Sequence, residues 1–202
     1  MNFTLDRRTM LLGLGAFAAV PAQAQPPARP AAMLIGAARA QIGVTLQYDS
    51  AYSRLGFPGG DVPRTRGVCT DVLIRAYRDA FGIDLQALVN ADMRAAFSAY
   101  PRRWGLRGPD RNIDHRRVPN LQTFLARKGA RLPLPVSAEG WRPGDIFTCL
   151  IGGTLPHIGL VSDRRGRSGS WAVIHNIGAG AREEDALFTH QLTGRYRFLL
   201  DR

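Results

Sequence analysis

The sequence is poor in cysteine, lysine and histidine, and it contains no long apolar run. Two cysteines in 202 residues cannot hold together a small disulfide-rich domain, and they are too few for a zinc site with four thiolate ligands. The apolar stretches all fall short of the roughly 20 residues that a membrane-spanning helix needs. Because the hydrophobic fraction is nevertheless 45%, we expect a folded domain with a real core rather than a disordered chain.

The charge is strongly positive and is carried almost entirely by arginine, since Lys128 is the one lysine. A formal net charge of +11 attracts polyanions such as nucleic acids or the anionic polymers of a cell envelope. The sequence contains no nucleic-acid-binding motif, no glycine-rich phosphate loop and no metal-binding histidine spacing. We therefore expect no nucleic-acid partner, no cofactor and no metal.

The first 24 residues have the layout of an export signal. Arg7 and Arg8 precede the short apolar stretch Met10–Val20, and an Ala-Gln-Ala run ending at Ala24 offers a cleavage point. The paired arginines favour a twin-arginine signal over an ordinary Sec signal, so we expect an exported protein that works in the periplasm or outside the cell. The predicted organisation is a signal peptide at 1–24, a linker at 25–32 and a single domain at 33–202.

The remaining chain changes texture from helical to strand-like near Trp141. Apolar residues recur with helical spacing in the first part, and glycines stand where helices end. Short runs of β-branched and large apolar residues follow, separated by turn residues. Helices followed by an antiparallel meander predict an α+β fold in one domain. The predicted helices cover 33–42, 68–81, 84–99 and 119–128, and the predicted strands cover 145–151, 158–162, 171–176 and 195–200.

Cys69 stands at the start of a predicted helix, directly after a loop that contains Arg66 and Gly67. At a helix N-terminus the free backbone N–H groups and the positive end of the helix dipole stabilise a thiolate. The same N–H groups can bind the oxyanion of a tetrahedral intermediate. A nucleophile and a small buried apolar residue are both consistent with this position.

His157 begins one predicted strand, and His175 ends the next. Because the start of one strand lies beside the end of its antiparallel neighbour, the two imidazoles are predicted to be neighbours. One would act as general base for Cys69, and the other would hold its ring in one tautomer. Either histidine alone could be a half-buried sheet residue, but the pair together with an upstream cysteine predicts a Cys-His-His site.

This order of motifs resembles the NlpC-type cysteine peptidases, which are papain-like hydrolases of amide bonds in peptidoglycan stem peptides. The motifs that carry the resemblance are Cys69 at a helix start, Trp-Arg-Pro-Gly-Asp-Ile at 141–146, His-Ile-Gly-Leu at 157–160 and Ile-His at 174–175. The resemblance implies an NlpC-type fold with N-terminal helices packed on a small antiparallel sheet. It also implies that Cys69, His157 and His175 are catalytic, and that peptidoglycan or its peptide fragments are the partner.

A narrower resemblance covers nearly all of the predicted domain. The chain is similar to a bacterial domain-of-unknown-function family, number 1287, which is related to the NlpC-type superfamily. This family supplies no substrate, so the expected activity is the one that the NlpC-type resemblance implies. Cys149 departs from the pattern, since a bulky strand residue such as Trp is expected there. The segments that carry this second resemblance are 67–72, 84–86, 112–120, 175–178 and 184–185.

The consecutive residues Asp114, His115, Arg116 and Arg117 concentrate charge just before a predicted helix. Arginine forks bind carboxylates, in which stem peptides are rich, so these four residues are candidates for substrate binding. A buried ion-pair network that braces the loop is an equal alternative for the two arginines.

Four further residues are candidates for contact with substrate. Asp71 could bind an amine in the cleft or stabilise the helix N-terminus, and an acid in a first helical turn more often does the latter. Tyr48 and Tyr52 could wall the cleft or simply pack within their loop. Asn176 could orient the site or end its strand.

Two other chemistries compete for these residues. A zinc hydrolase could draw on the histidines and Asp114, but no His-x-x-x-His or His-Glu-x-x-His spacing is present. A disulfide between Cys69 and Cys149 is allowed in an oxidising compartment and would block the nucleophile.

The expected function is that of a periplasmic cysteine amidase or peptidase acting on peptidoglycan. One alternative is a non-catalytic cell-wall-binding protein that keeps the cleft without turnover. Another is a cysteine acyltransferase, because the resembled superfamily has lipid-acting relatives that include circularly permuted members with His before Cys. Here Cys69 precedes the histidines, which favours hydrolysis.

Overall fold

The computed structural model describes residues 28–199, so the predicted signal peptide lies outside the described residues. Helices occupy the first part of this range and an antiparallel sheet the second, which confirms the predicted α+β class. The helices are α1 (Arg29–Arg39), α2 (Cys69–Phe81), α3 (Leu85–Ala95) and α4 (Val118–Arg127). The strands are β1 (Gln47–Tyr48), β2 (Arg66–Gly67), β3 (Arg131–Leu132), β4 (Ile146–Ile151), β5 (Leu155–Arg165), β6 (Trp171–Asn176), β7 (Ala181–Glu184) and β8 (Gln191–Tyr196).

The helix boundaries follow local backbone chemistry. α1 starts earlier than predicted because Pro30 is accommodated in its first turn, and it ends before Ile42, which is exposed rather than buried. α2 ends at Gly82, whose φ of 66° is a left-handed conformation that glycine adopts at low cost. α3 is shorter than predicted because the backbone leaves the helical region at Ala96. Across the described part of the chain, none of the helices has the length and apolarity needed to cross a membrane.

Six strands form one sheet in the order β3-β8-β4-β5-β6-β7, and β1 and β2 form a separate parallel pair. β5 pairs with β4 from its first residue, Leu155. Its pairing with β6 begins only where Leu160 lies opposite Ile174, so the start of β5 has no ladder partner on the β6 side. The sequence does not predict β3 or β7, because both are short edge strands with little apolar content.

Apolar layers cover both faces of the sheet. The helices pack on one face, where Ile158, Leu160 and Ile174 belong to the larger core. Because side chains alternate along a strand, His157 and His175 point to the opposite face. The smaller core on that face contains Trp141, Phe147, Cys149, Val161, Trp171, Val173 and Leu187.

Candidate active site

Cys69 is the first residue of α2 and is almost completely buried. The residue before it, Val68, is extended, and its backbone N–H donates to the Asp71 carboxylate at 2.7 Å. The backbone N–H groups of Ile158 and Thr70 and the Tyr48 hydroxyl lie close enough to the Cys69 sulfur to lower the pKa of its thiol. Ile158 directly follows His157, the predicted base, in the sequence. The thiol therefore lies near the start of β5, in the part of that strand that is not paired to β6.

The loop that leads into Cys69 is held by a fully buried guanidinium. Arg75 of α2 forms an ion pair with Asp61, with 2.9 Å between Nε and Oδ2. It also donates to the carbonyl oxygens of Val62 and Arg66. Gly67 leaves no room for a side chain, since a Cβ there would lie 2.9 Å from a carboxylate oxygen of Asp71. These contacts fix the backbone that places the thiol.

His157 and His175 are in direct contact, as the strand pattern predicts. Nε2 of His157 lies 2.9 Å from Nδ1 of His175, and Nε2 of His175 lies 3.0 Å from Oε2 of Glu184. Nδ1 of His157 makes no hydrogen bond to any other residue within 28–199. A chain of hydrogen bonds therefore runs from Glu184 through His175 to His157, at the start of β5. The backbone N–H of the next residue, Ile158, is close to the Cys69 thiol.

Gly159 allows the two imidazoles to approach each other. A Cβ on Gly159 would lie 2.9 Å from the Cβ of His175 and 2.6 Å from Cε1 of Phe147. The Phe147 ring packs against both imidazoles, with its centroid 6.2 Å from that of His157 and 6.3 Å from that of His175. A side chain at position 159 would therefore displace either this aromatic support or the strand that carries His175.

Burial keeps the three central groups uncharged. It raises the pKa of Cys69 to about 11, and the nearby N–H groups of Ile158 and Thr70 act against this shift without reversing it. Burial lowers the pKa of His157 to about 3, with His175 and His190 acting in the same direction. Burial also lowers the pKa of His175, although the Glu184 carboxylate opposes that shift. At neutral pH the resting site holds a thiol and two neutral imidazoles.

Asp71 and Arg116 form a buried ion pair beneath the site. Arg116 donates to both carboxylate oxygens, with 3.0 Å between Nε and Oδ1 and 2.9 Å between Nη2 and Oδ2. It also donates to the carbonyl oxygen of Asp49 at 3.1 Å. These contacts favour the bracing alternative for Arg116 and the helix-stabilising alternative for Asp71, while a substrate contact by either one stays a prediction.

Asn176 joins the end of β6 to the loop before α2. Its side-chain amide donates to the carbonyl oxygen of Gly67 at 3.0 Å, and the residue is fully buried. Asn176 therefore helps to hold the cysteine loop against the strand that carries the second histidine. Tyr52, in contrast, is exposed and contacts Asp110 and Asn112 rather than the thiol.

The charged segment before α4 is divided between the core and the cleft. Asp114 is buried and accepts from Nη1 of Arg117 at 2.9 Å. His115 is buried as well, and burial lowers its pKa to about 4. Arg117 lines the cleft, with its guanidinium 4.0 Å above the Trp104 ring. The structure thus brings Arg117 and Arg116 to the cleft and leaves Asp114 and His115 behind its wall.

An open cleft of about 300 Å³ gives access to Cys69. Within residues 28–199, no carboxylate lines this cleft. Arg103 lines the cleft and forms no ion pair with another residue of that range. Sequence reasoning missed Arg103 and Trp104, because they lie in a loop that carries no recognisable motif. The walls include Tyr48, Arg103, Trp104, Arg116, Arg117 and Pro156.

Comparison with known proteins identifies the family of this chain. Residues 35–198 match the family model described as a domain of unknown function, DUF1287. The chain belongs to this family. The DUF1287 protein is 52% identical over 163 residues to the uncharacterized protein YijF of Escherichia coli strain K12, and the match covers 81% of this chain and 79% of that protein.

A solved structure is also similar to the DUF1287 protein at low sequence identity. It is the structure of NlpC1 from Trichomonas vaginalis, with 13% identity and a TM-score of 0.40. The match covers 84% of this chain and 43% of that chain. The narrower resemblance in the sequence, to family 1287, is confirmed by the family model.

Both cysteines of the DUF1287 protein are free thiols. Cys149 lies directly opposite His157 in the pairing of β4 with β5, and it is buried in the smaller core beside Phe147. It therefore packs as a small apolar residue. Within 28–199, no three side chains of His, Cys, Asp or Glu are arranged to hold a metal ion.

Glu184 is the polar group of the site that sequence reasoning did not single out. It belongs to β7, whose sequence Ala-Arg-Glu-Glu is too charged to predict a strand. In the register of β6 with β7, Val173 lies opposite Glu184 and His175 opposite Arg182, so Glu184 and His175 share one face. The sequence did contain one indication of the importance of Glu184, since 184–185 is among the segments that resemble family 1287.

Proposed function

We propose that this protein is an exported cysteine amidase or peptidase that hydrolyses amide bonds in peptidoglycan stem peptides. Cys69 is the nucleophile, His157 the general base and His175 the residue that orients His157. The observation that carries the proposal is that Cys69, on the wall of an open cleft, lies close to the backbone N–H of Ile158, the residue after His157. A helix-start cysteine near a strand whose histidine is held by a third group suits nucleophilic catalysis.

The reaction begins from a neutral thiol. Sγ of Cys69 bonds to the amide carbonyl carbon while its proton moves to Nδ1 of His157, and the C=O electron pair moves to the oxygen. The backbone N–H of Cys69 is one of the first four of α2, which have no intrahelical acceptor. It can therefore donate to the oxyanion as the charge develops.

Collapse of this intermediate breaks the C–N bond. The amine leaves with the proton from His157, and the acyl group stays on Cys69 as a thioester. Water then attacks the thioester, His157 takes the proton of that water, and the sulfur recovers it as the carboxylic acid departs. Throughout, Nδ1 of His175 faces Nε2 of His157 at 2.9 Å and stabilises the charge that appears on the ring.

The substrate class rests on the walls of the cleft and on the sequence resemblance. Arg103 and Arg117 bring positive charge to the cleft, and no carboxylate from 28–199 lines it. Trp104 holds the guanidinium of Arg117 against its ring, so this arginine is presented in a defined orientation. Arginine suits carboxylate recognition, and peptidoglycan stem peptides carry several carboxylates. The resemblance to the NlpC-type peptidases supports the same class.

Export belongs to the same proposal and rests on residues 1–24, which lie outside the described range. The paired Arg7 and Arg8 before an apolar stretch support a twin-arginine signal and a periplasmic location. Replacing both arginines with lysine tests this by cell fractionation. We expect the protein to be retained in the cytoplasm, whereas continued export would point to a Sec signal.

The activity is tested by incubating the purified protein with peptidoglycan and identifying the products by mass spectrometry. We expect fragments cut at a stem-peptide amide bond, and no such fragments from the Cys69→Ala variant. Cys149→Ala is the matched control, because it removes the other thiol without touching the cleft. Cleavage by Cys69→Ala would rule out the mechanism, and no cleavage by the wild-type protein would rule out the activity.

A second candidate, a non-catalytic cell-wall-binding protein, is favoured by the burial that keeps Cys69 protonated at neutral pH. The two functions differ in what His157 does to the thiol. If His157 is a working base, alkylation of Cys69 by iodoacetamide should be slower in a His157→Gln variant than in the wild-type protein. Equal rates in the two proteins would support the binding function.

A further inference from the structure

We infer that Glu184 sets the tautomers of both site histidines and so keeps Nδ1 of His157 free to receive the thiol proton. The catalytic consequence of this inference rests on the proposed function. The tautomers themselves do not, because they are a property of the folded protein in the absence of substrate. Glu184 is in this sense a positioning residue that acts through His175.

The placement of Glu184 is specific to the face that carries the histidines. Its Oε2 lies 3.0 Å from Nε2 of His175, and the side chain is 37% exposed while that of His175 is 3% exposed. The carboxylate therefore keeps part of its hydration while it reaches a buried ring. The preceding residue, Glu183, points to the other face and pairs with Arg39 of α1 at 2.8 Å. The strand alternation thus gives the two adjacent acids separate partners.

The direction of each hydrogen bond follows from the carboxylate. An ionised carboxylate can only accept, so Nε2 of His175 must carry the proton between the two groups. A neutral imidazole has one N–H, so Nδ1 of His175 is an acceptor. It faces Nε2 of His157 at 2.9 Å, which must then be the donor. Nδ1 of His157 is consequently left with its lone pair.

Without Glu184 the two imidazole rings can adopt a second pair of tautomers that forms an equally good hydrogen bond. Nδ1 of His175 can donate to Nε2 of His157, and the 2.9 Å contact is kept. In that arrangement the single proton of His157 lies on Nδ1, where it blocks transfer from Cys69. The other charged or titratable groups near the pair are Arg182, whose Nη1 lies 3.7 Å from Oε1 of Glu184, His190 and Cys149, which lies opposite His157 in the pairing of β4 with β5. Within 28–199, Nε2 of His175 makes its hydrogen bond to Glu184 and to none of these three.

The direct test is nuclear magnetic resonance of the full protein with nitrogen-15-labelled histidine, at neutral pH. The chain has four histidines, so their ring nitrogens can be assigned with single substitutions. We expect the wild-type protein to carry its His157 proton on Nε2, and Glu184→Ala to show His157 with protonated Nδ1 as a second form. Asp185→Asn is the matched control, since this neighbouring carboxylate contacts Ser168 and not the histidines. It should keep the wild-type tautomers.

A second variant separates loss of the acceptor from loss of structure. Glu184→Gln retains a side-chain oxygen that can accept from His175, so it should keep the wild-type tautomer and more activity than Glu184→Ala. In Glu184→Ala we expect kcat for muropeptide release to fall on the order of tenfold to a hundredfold, with KM nearly unchanged because Glu184 does not line the cleft.

The inference fails if His157 carries its proton on Nδ1 in the wild-type protein, or if Glu184→Ala leaves both ring tautomers unchanged. It also fails if Glu184→Ala and Asp185→Asn release muropeptides equally fast. Failure of the proposed function has a different signature, since it would remove muropeptide release from the wild-type protein while the tautomer measurements stayed as expected.

Discussion

Replacing Arg116 with methionine should destabilise the protein strongly, because the change leaves a buried carboxylate without its partner. Arg116 and Asp71 have side chains that are 2% and 4% exposed. Removing one member of a buried ion pair costs about 3–5 kcal/mol, most of it the uncompensated charge. Asp71 would keep its hydrogen bond from the Val68 N–H at 2.7 Å. The position of Asp71 in the first turn of α2, near the positive end of the helix dipole, would offset this loss by at most about 1 kcal/mol.

The expected loss also includes the backbone that Arg116 satisfies. Its Nη2 donates to the carbonyl oxygen of Asp49 at 3.1 Å, and a hydrogen bond of this kind contributes about 1 kcal/mol. We therefore expect Arg116→Met to lower the free energy of unfolding by about 3–5 kcal/mol. The double variant with Asp71→Asn should be less destabilised than the single one, since it no longer buries a lone charge.

The measurement is urea unfolding followed by tryptophan fluorescence, with linear extrapolation of the free energy to water. Arg64→Met is the matched control, because Arg64 also pairs with an aspartate, Asp79, but the two side chains are 47% and 32% exposed. An exposed pair contributes less than about 1 kcal/mol. If Arg116→Met costs no more than this control while substrate binding weakens, bracing is wrong and Arg116 is a substrate ligand.

Three further outcomes follow from the geometry of the site. In a Cys149→Ala background, the alkylation rate of Cys69, measured by mass spectrometry, should rise about tenfold per pH unit from neutrality toward pH 11. The reason is that burial raises the pKa of Cys69 to about 11 and only the thiolate reacts. A rate that levels off near pH 8.5 would contradict this. Gly159→Ala should lower the free energy of unfolding by about 1–3 kcal/mol through overpacking. It should also slow muropeptide release at temperatures where thermal melting shows the variant to be folded, since the added Cβ displaces Phe147 or the strand of His175. Arg103→Ala should raise KM for carboxylate-bearing muropeptides with little change in kcat. Added salt should have the same effect on the wild-type protein. If neither the substitution nor the salt changes KM, this arginine does not recognise the carboxylate.

The sequence predicts those parts of the site that depend on local pattern. The start of α2 at Cys69 follows from a loop-to-helix transition, and its end follows from Gly82. The contact of His157 with His175 follows from two strands that each have a clear apolar signal. In each instance a short stretch of sequence contains both the element and its boundary, so no knowledge of distant residues is required.

The parts that the sequence does not predict depend on contacts between distant segments. The contact that favours bracing by Arg116 comes from Asp71, 45 positions away. β7 lacks an apolar alternation because it is an edge strand, so Glu184 could not be placed beside His175. Arg103 and Trp104 become cleft residues only when their loop folds against the start of α2.

The protonation states of the resting site constrain how hydrolysis would proceed. Burial separates the pKa of Cys69, about 11, from that of His157, about 3. Because burial shifts these two pKa values in opposite directions, it strongly disfavours a preformed thiolate–imidazolium pair in the resting site.

The thiol proton must therefore leave as the C–S bond forms, when the negative charge passes to the carbonyl oxygen at the start of α2. Slow alkylation of Cys69 at neutral pH is then expected of a working enzyme as well as of a binding protein, because alkylation offers no oxyanion for the helix to stabilise. The absolute labelling rate cannot distinguish the two functions. The dependence of that rate on His157, and the loss of peptidoglycan cleavage in Cys69→Ala, can.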